Sequence, residues 1–378
     1  MVPTTERSGP GGAPGAAARP PTTASAAPAT PPATAWLDLA RVSAMLAVVA
    51  VHVFAPVVTT RYTDLGTATW WAANAVDASF RWCVPVFIMI SGALLLRPRE
   101  ERLSVFYRRR FSRIGIPLVV WVAAYLAWEA YRTGITPGQA AGEILSGTPS
   151  IHLYFLFVLA GLYLLTPFLR VFVEHATVPT VWWFAGLMSV IGMADQAIAG
   201  LDGTGEANAV TRFLPFVGYY VIGYLLRDVT MTRGRTWGAA VALLLGTAAT
   251  AMGAGLIARA YGEWGTSAVY LYDYLSPTVL VMSIAAYLLF RAAGDRFLTG
   301  TGAAAHAWRR RLRAVSDVSF GVFLVHVMVL FTLRDLFGMP DGVAAMLVRA
   351  GEYTVAVLLL SLAITVVFKR IPGLRATV

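Results

Sequence analysis

The stretch WLDLARVSAMLAVVAVHVF, residues 36–54, sets Asp38, Arg41 and His52 inside an otherwise apolar run. Arg41 and His52 are eleven residues apart. At about 100° and 1.5 Å per residue that is almost three helical turns, so both side chains share a face and stand about 16 Å apart along the axis. Asp38, one turn before Arg41, is close enough to pair with it and lower the cost of holding either charge in apolar surroundings. An imidazole can take a proton from a hydroxyl near neutral pH and return it later, which is what transfer of an acyl group to an alcohol requires. The same three residues would equally suit an interfacial ion pair and a histidine bonded to a neighbouring helix.

Further polar groups recur along the chain. FYRRRFSRIGIP puts Arg110 and Arg113 one turn apart, a pairing suited to phosphate. Simple topological anchoring would explain the number of arginines there without requiring any pair. His152 stands in IHLYFL, His326 in SFGVFLVHVMVL, and Ser91 with Gly92 in VPVFIMISGALLL. The sequence carries no metal-spaced His/Cys/Asp/Glu cluster, P-loop, dinucleotide fingerprint or serine nucleophile elbow. A single cysteine, Cys83, cannot form an intramolecular disulfide and sits in an apolar run where a small packed residue is the usual role. What the pattern offers is one candidate base plus basic groups.

These residues need elements to position them, and the composition says which kind. Hydrophobic residues make up 57% and charged residues 13%, a balance that soluble domains rarely reach because their surfaces need charge. The chain therefore reads as all-α and polytopic. Its net charge of +10 comes from arginines clustered between long apolar runs, which argues for topology determinants and against nucleic acid. About 30 Å of hydrocarbon takes roughly 20 helical residues. Ten windows qualify, near 36–58, 78–96, 114–133, 151–173, 179–199, 210–227, 237–259, 267–290, 316–336 and 344–368. Unpaired backbone is not tolerated in lipid, and runs this uniform fit helices rather than the alternating strands of a barrel.

Residues 1–35, rich in Pro, Ala, Gly and Thr, read as a disordered cytoplasmic tail with no signal-peptide core, and 369–378 as a short cytoplasmic tail, leaving 36–368 as the membrane domain. Seven arginines fall between spans two and three and six between spans eight and nine, with Arg227, Arg233 and Arg235 between six and seven. By the positive-inside rule both termini are cytoplasmic, as an even number of spans requires. That orientation sets Asp38 and Arg41 near the cytoplasmic surface and His52 toward the exterior. The outer loops are short and mildly acidic, with Asp64, Asp77, Glu143, Asp202, Glu206, Glu263 and Asp341, which suits a neutral or cationic acceptor. Arginine supplies every basic position but Lys369, a compositional hint of a GC-rich bacterial genome.

DLARVSAMLAVVAVH resembles the first-helix signature of the acyltransferase-3 family of bacterial integral membrane acyltransferases. VPVFIMISGALLL, RRRFSRIGIP, HLYFL, FVGYYVIGYLL and FGVFLVHVMVL resemble its later blocks in the same order, so the likeness covers residues 36 to about 335. Tyr154 stands where many members carry tryptophan, which keeps an aromatic ring in place. The resemblance implies an inner-membrane O-acyltransferase, transferring groups other than aminoacyl groups. It would move an acyl group, usually acetyl, from acyl-CoA to a hydroxyl of an envelope polysaccharide, another glycan or a sugar-bearing metabolite. It makes His52 and Arg41 the catalytic pair and Arg110 and Arg113 the contacts for the CoA donor. Asp38, His152, His326 and Ser91 would support the substrates.

Acyl-CoA would be a substrate, with no permanently bound cofactor and no metal, and the bilayer the other partner. Direct transfer and an acyl-histidine intermediate both fit. No hydrolase-like extracytoplasmic domain of the kind fused to some relatives is read in the sequence, so transfer would be unaided or passed to a partner. Two other readings use the same residues: an exporter of an envelope precursor with a histidine proton relay, and a noncatalytic scaffold in a glycan-export complex. Neither broken helices at matching positions nor a repeat between halves supports the exporter.

Overall fold

A computed structural model describes residues 34–60, 65–202 and 208–378, and among them there are helices and turns but no strand. Residues 1–33 of the tail expected over 1–35, and the acidic residues Asp64 and Glu206, lie outside the described residues, while Ala35 already opens the first helix. With no water to satisfy backbone groups in a bilayer, each segment must close its own hydrogen bonds, and helices do so. In order they are α1 (Ala35–Thr60), α2 (Ala68–Phe80), α3 (Cys83–Leu95), α4 (Leu103–Arg110), α5 (Ile116–Thr133), α6 (Pro137–Ser146) and α7 (Tyr154–His175). There follow α8 (Val178–Asp202), α9 (Val217–Leu226), α10 (Arg233–Tyr261), α11 (Thr266–Tyr270), α12 (Pro277–Phe297), α13 (Ala303–Phe337) and α14 (Val343–Arg370).

α1 is the hub of the bundle, with α13, α2, α3, α12 and α14 packed around it. This is why its small and β-branched residues are buried on several sides: Ala40, Ala44, Ala47, Val48, Val51 and Val53 are all inside. Lipid-facing helices show the opposite, with Trp183, Leu187, Leu244 and Leu359 exposed in the absence of any aqueous reason to hide them.

Nine helical segments among the described residues are long and apolar enough to cross a membrane. The expected span at 210–227 differs: it is helical only over Leu214–Leu226, a short 3-10 turn running into α9. At 1.5 Å per residue that is about 20 Å, well short of the hydrocarbon thickness. It still runs between the two ends of the bundle. Just before it, Arg212 donates to the Ser146 carbonyl at 2.6 Å, and just after it Asp228 pairs with Arg97 at 3.6 Å. A short helix suffices because protein rather than lipid surrounds it. Gly92 of α3 and Gly223 of α9 let the two backbones meet, since a Cβ on Gly92 would lie 1.8 Å from the Tyr220 carbonyl oxygen.

Four other boundaries move. The span expected at 114–133 begins at Leu103, as α4 runs into α5 through the turn Phe111–Gly115. The span expected at 78–96 begins at Ala68 and turns at Arg81–Trp82. The one expected at 267–290 begins at Pro277, where Ser276 caps the helix by accepting from the Val279 amide and proline takes the first turn; residues 267–276 form α11 and turns instead. α13 starts at Ala303 rather than 316: its first turns carry the arginine cluster and are helical although they are not apolar. Residues after α14 fold back as a 3-10 turn, with Trp121 Nε1 donating to the Thr377 carbonyl at 2.8 Å, so the C-terminal segment is docked on α5 rather than free.

Candidate active site

At one end of α1, Arg41 Nη1 donates to Asp38 at 3.0 Å, as the three-residue spacing predicts. A third group joins them from α13: Ser316 donates to Asp38 at 2.9 Å and accepts from Arg41 at 3.3 Å. Arg41 lines a cavity of about 160 Å³ together with Ser91, Arg110 and Arg113. Arg110 ends α4 and Arg113 lies in the π-helical turn Phe111–Gly115 that joins α4 to α5. Such turns widen a helix by one residue and frequently occur at functional sites. The Arg110 guanidinium sits over the Phe106 ring at 5.4 Å and the Tyr163 ring at 5.8 Å. Arg170, buried between the Leu95 carbonyl at 2.6 Å and Glu101 at 3.5 Å, ties α7 to the loop preceding α4.

At the other end, a second cavity of about 530 Å³ is lined by His52, His152, Arg81, Tyr154 and Tyr274. His52 comes from α1 and His152 from the turn before α7, and His326 of α13, which does not line the cavity, packs against both. The His52 and His326 ring centroids are 5.2 Å apart, His152 and His326 5.0 Å, and His52 and His152 6.3 Å. The His326 Nδ1 lies 2.5 Å from the Phe323 carbonyl. A carbonyl only accepts, so Nδ1 carries the hydrogen and Nε2 keeps its lone pair. That Nε2 and the Nε2 of His152 are both buried without a hydrogen-bond partner. His152 Nδ1 contacts Ser150 Oγ at 3.3 Å, and Tyr125 packs against the same ring at 4.9 Å while donating to the Leu324 carbonyl. Pro56, also lining this cavity, has no amide hydrogen for its partner four residues earlier, which is the His52 carbonyl.

All eight residues singled out in the sequence thus fall into two groups. Asp38, Arg41, Ser91, Arg110 and Arg113 gather at one end, and His52, His152 and His326 at the other. Sequence reasoning passed over Arg81, at the α2–α3 break. Its Nη2 pairs with the fully buried Asp77 at 2.5 Å and its guanidinium lies 4.5 Å from the Tyr272 ring centroid, with Nε unpartnered. An arginine inside an apolar run was itself the missed signal. Asp77, counted as an outer-loop acid, is instead the buried partner of this arginine. Cys83 is fully buried, as a packed small residue would be.

A helical bundle holding arginines and histidines in two internal cavities is a multi-pass membrane protein built to handle polar groups within its own thickness. Residues 34–370 match the family described as an acyltransferase domain, acyltransferase-3, and the chain belongs to that family: it is a membrane acyltransferase. No curated protein and no solved structure matches it significantly.

Proposed function

We propose that the protein transfers a short acyl group, acetyl in the simplest case, from acyl-CoA to a hydroxyl of a bacterial cell-envelope glycan or related sugar-bearing acceptor. Both termini would be cytoplasmic, in the inner membrane. Acyl-CoA would dock from the cytoplasm with its phosphates on Arg110 and Arg113, groups whose charge and planar fork suit phosphate oxygens. Its thioester would extend past Arg41 toward the histidines. His52 would take the proton of the acceptor hydroxyl as the oxygen attacks the thioester carbonyl. The carbon–sulfur bond then breaks, and the CoA thiolate leaves with a proton returned from the imidazolium.

The observation that carries this reading is the pair of cavities: three arginines and no histidine line the one suited to an anionic donor, while His52 and His152, beside Arg81 and Arg334, line the one suited to a hydroxyl acceptor. Asp38 and Ser316 support the donor side by holding Arg41 in place. The test is His52→Ala in cells that otherwise carry the intact chain, with mass spectrometry of envelope glycans and small metabolites. One acyl mass should disappear while the variant remains inserted at normal abundance. An unchanged acyl profile in that variant removes His52 as the base. An exporter would instead lose the whole carbohydrate from the envelope rather than its acyl mass.

A further inference from the structure

The two cavities share two lining residues, Phe155 of α7 and Phe323 of α13. Their rings meet edge to face, centroids 5.4 Å apart and planes at 66°. Both are buried, at 5% and 4% exposure. Phe87, which lines the arginine cavity, leans on Phe155 at 5.9 Å. On the histidine side Phe323 touches the His152 ring at 5.2 Å and the His326 ring at 5.7 Å. The wall is therefore a single layer of two aromatic side chains, each facing both cavities, braced by a ring on one side and by imidazoles on the other.

We infer that the Phe155–Phe323 pair is the partition across which the acyl group reaches the histidines, and that it sets the length of acyl chain the protein accepts. The inference rests on the acyltransferase reading above. A donor anchored by its phosphates at Arg110 and Arg113 can bring its thioester to His52 only where the two cavities adjoin, and these rings occupy that place. Acetyl carries a single methyl beyond the carbonyl. Each further methylene must find room against two rings already in contact, and a tight apolar site discriminates by about 10- to 200-fold for one methylene. The same rings keep water of the histidine cavity away from the thioester. Opening the wall would let water replace the acceptor, giving free carboxylic acid and CoA thiol from the same bond cleavage.

The experiment uses inside-out membrane vesicles from cells making the full chain, with acetyl-, butyryl- and hexanoyl-CoA radiolabelled in the acyl group. Label passed to membrane acceptors is read after subtracting His52→Ala vesicles. Wild type should favour acetyl strongly. Phe155→Ala and Phe323→Ala should raise the hexanoyl-to-acetyl ratio at least about tenfold, with added CoA thiol release that is not matched by labelled acceptor. Phe155→Leu, which keeps an apolar side chain in the bundle, should raise the ratio about threefold and reads the inference if the alanine variants fail to accumulate. A wild type that passes hexanoyl as readily as acetyl, or variants that keep acetyl transfer with an unchanged ratio, overturn the partition while leaving the acyltransferase reading intact. Absence of any His52-dependent label in wild-type vesicles overturns both.

Discussion

Replacing Gly92 by alanine should destabilise the bundle more than a single methyl usually does. A Cβ built there meets three backbone atoms of Tyr220, the carbonyl oxygen at 1.8 Å, the carbonyl carbon at 2.7 Å and Cα at 3.1 Å. No rotamer change can relieve contacts with backbone. Carbon contacts are comfortable near 3.5–4.0 Å, so α3 and α9 would have to part by roughly 1.5 Å, and gaps of 0.5–1 Å already forfeit a quarter to a half of the dispersion energy along a contact. Overpacking costs about 1–3 kcal/mol, and a clash between two buried helix backbones belongs at the top of that range. Gly142 in α6 is the control, because a Cβ there meets nothing within 4 Å. Gly142→Ala should be neutral or stabilising by about 0.5–1 kcal/mol through the lost freedom of the unfolded chain. Intrinsic fluorescence from the 11 tryptophans of the purified chain in mild detergent follows melting directly. We expect Gly92→Ala to melt about 4 °C below wild type and Gly142→Ala at or above it. A Gly92→Ala protein that melts with wild type would refute the close approach of α3 and α9.

Two further changes probe the arginine cavity. Arg113→Ala should raise the KM for acyl-CoA about tenfold or more with kcat little changed, as loss of one charge-assisted phosphate contact would do; an unchanged donor KM would assign Arg113 to topology alone. Ser316→Ala removes the hydroxyl that bridges Asp38 and Arg41 but leaves their 3.0 Å pair. Both charged groups are partly exposed, so the loss should be about 1 kcal/mol, read as a roughly fivefold lower kcat/KM for the donor. Unaltered kinetics would show that the pair holds Arg41 without help from α13.

Much of the site could be read from spacing because helices convert sequence intervals into geometry. Asp38 and Arg41 at three residues became an ion pair, and Arg41 and His52 at eleven became the two ends of one facet. Tertiary approaches were another matter. That His152 and His326 would come within 5.0 Å of each other depends on how α7 and α13 cross, which no local interval encodes. Ser316 was visible only as the first residue of an expected span. Arg81 was hidden by the apolar run that contains it, and its partner Asp77 by the assumption that an acid near a span end belongs to a loop. Hydropathy misjudged α9 and α13 for opposite reasons. α9 is apolar because protein surrounds it, not because it spans lipid alone, while the start of α13 is helical without being apolar.

One helix serves both cavities: α13 supplies Ser316 and Phe323 to the first and His326 to the cluster beyond, three residues after Phe323. Such an element cannot gain or lose a residue between these points. A single insertion after Phe323 would swing the imidazole by about 100° and raise it by about 1.5 Å, out of reach of the other two rings. α1 is bound in the same way between Arg41 and His52. In both helices the intervals between polar residues are what a functional bundle of this kind must keep.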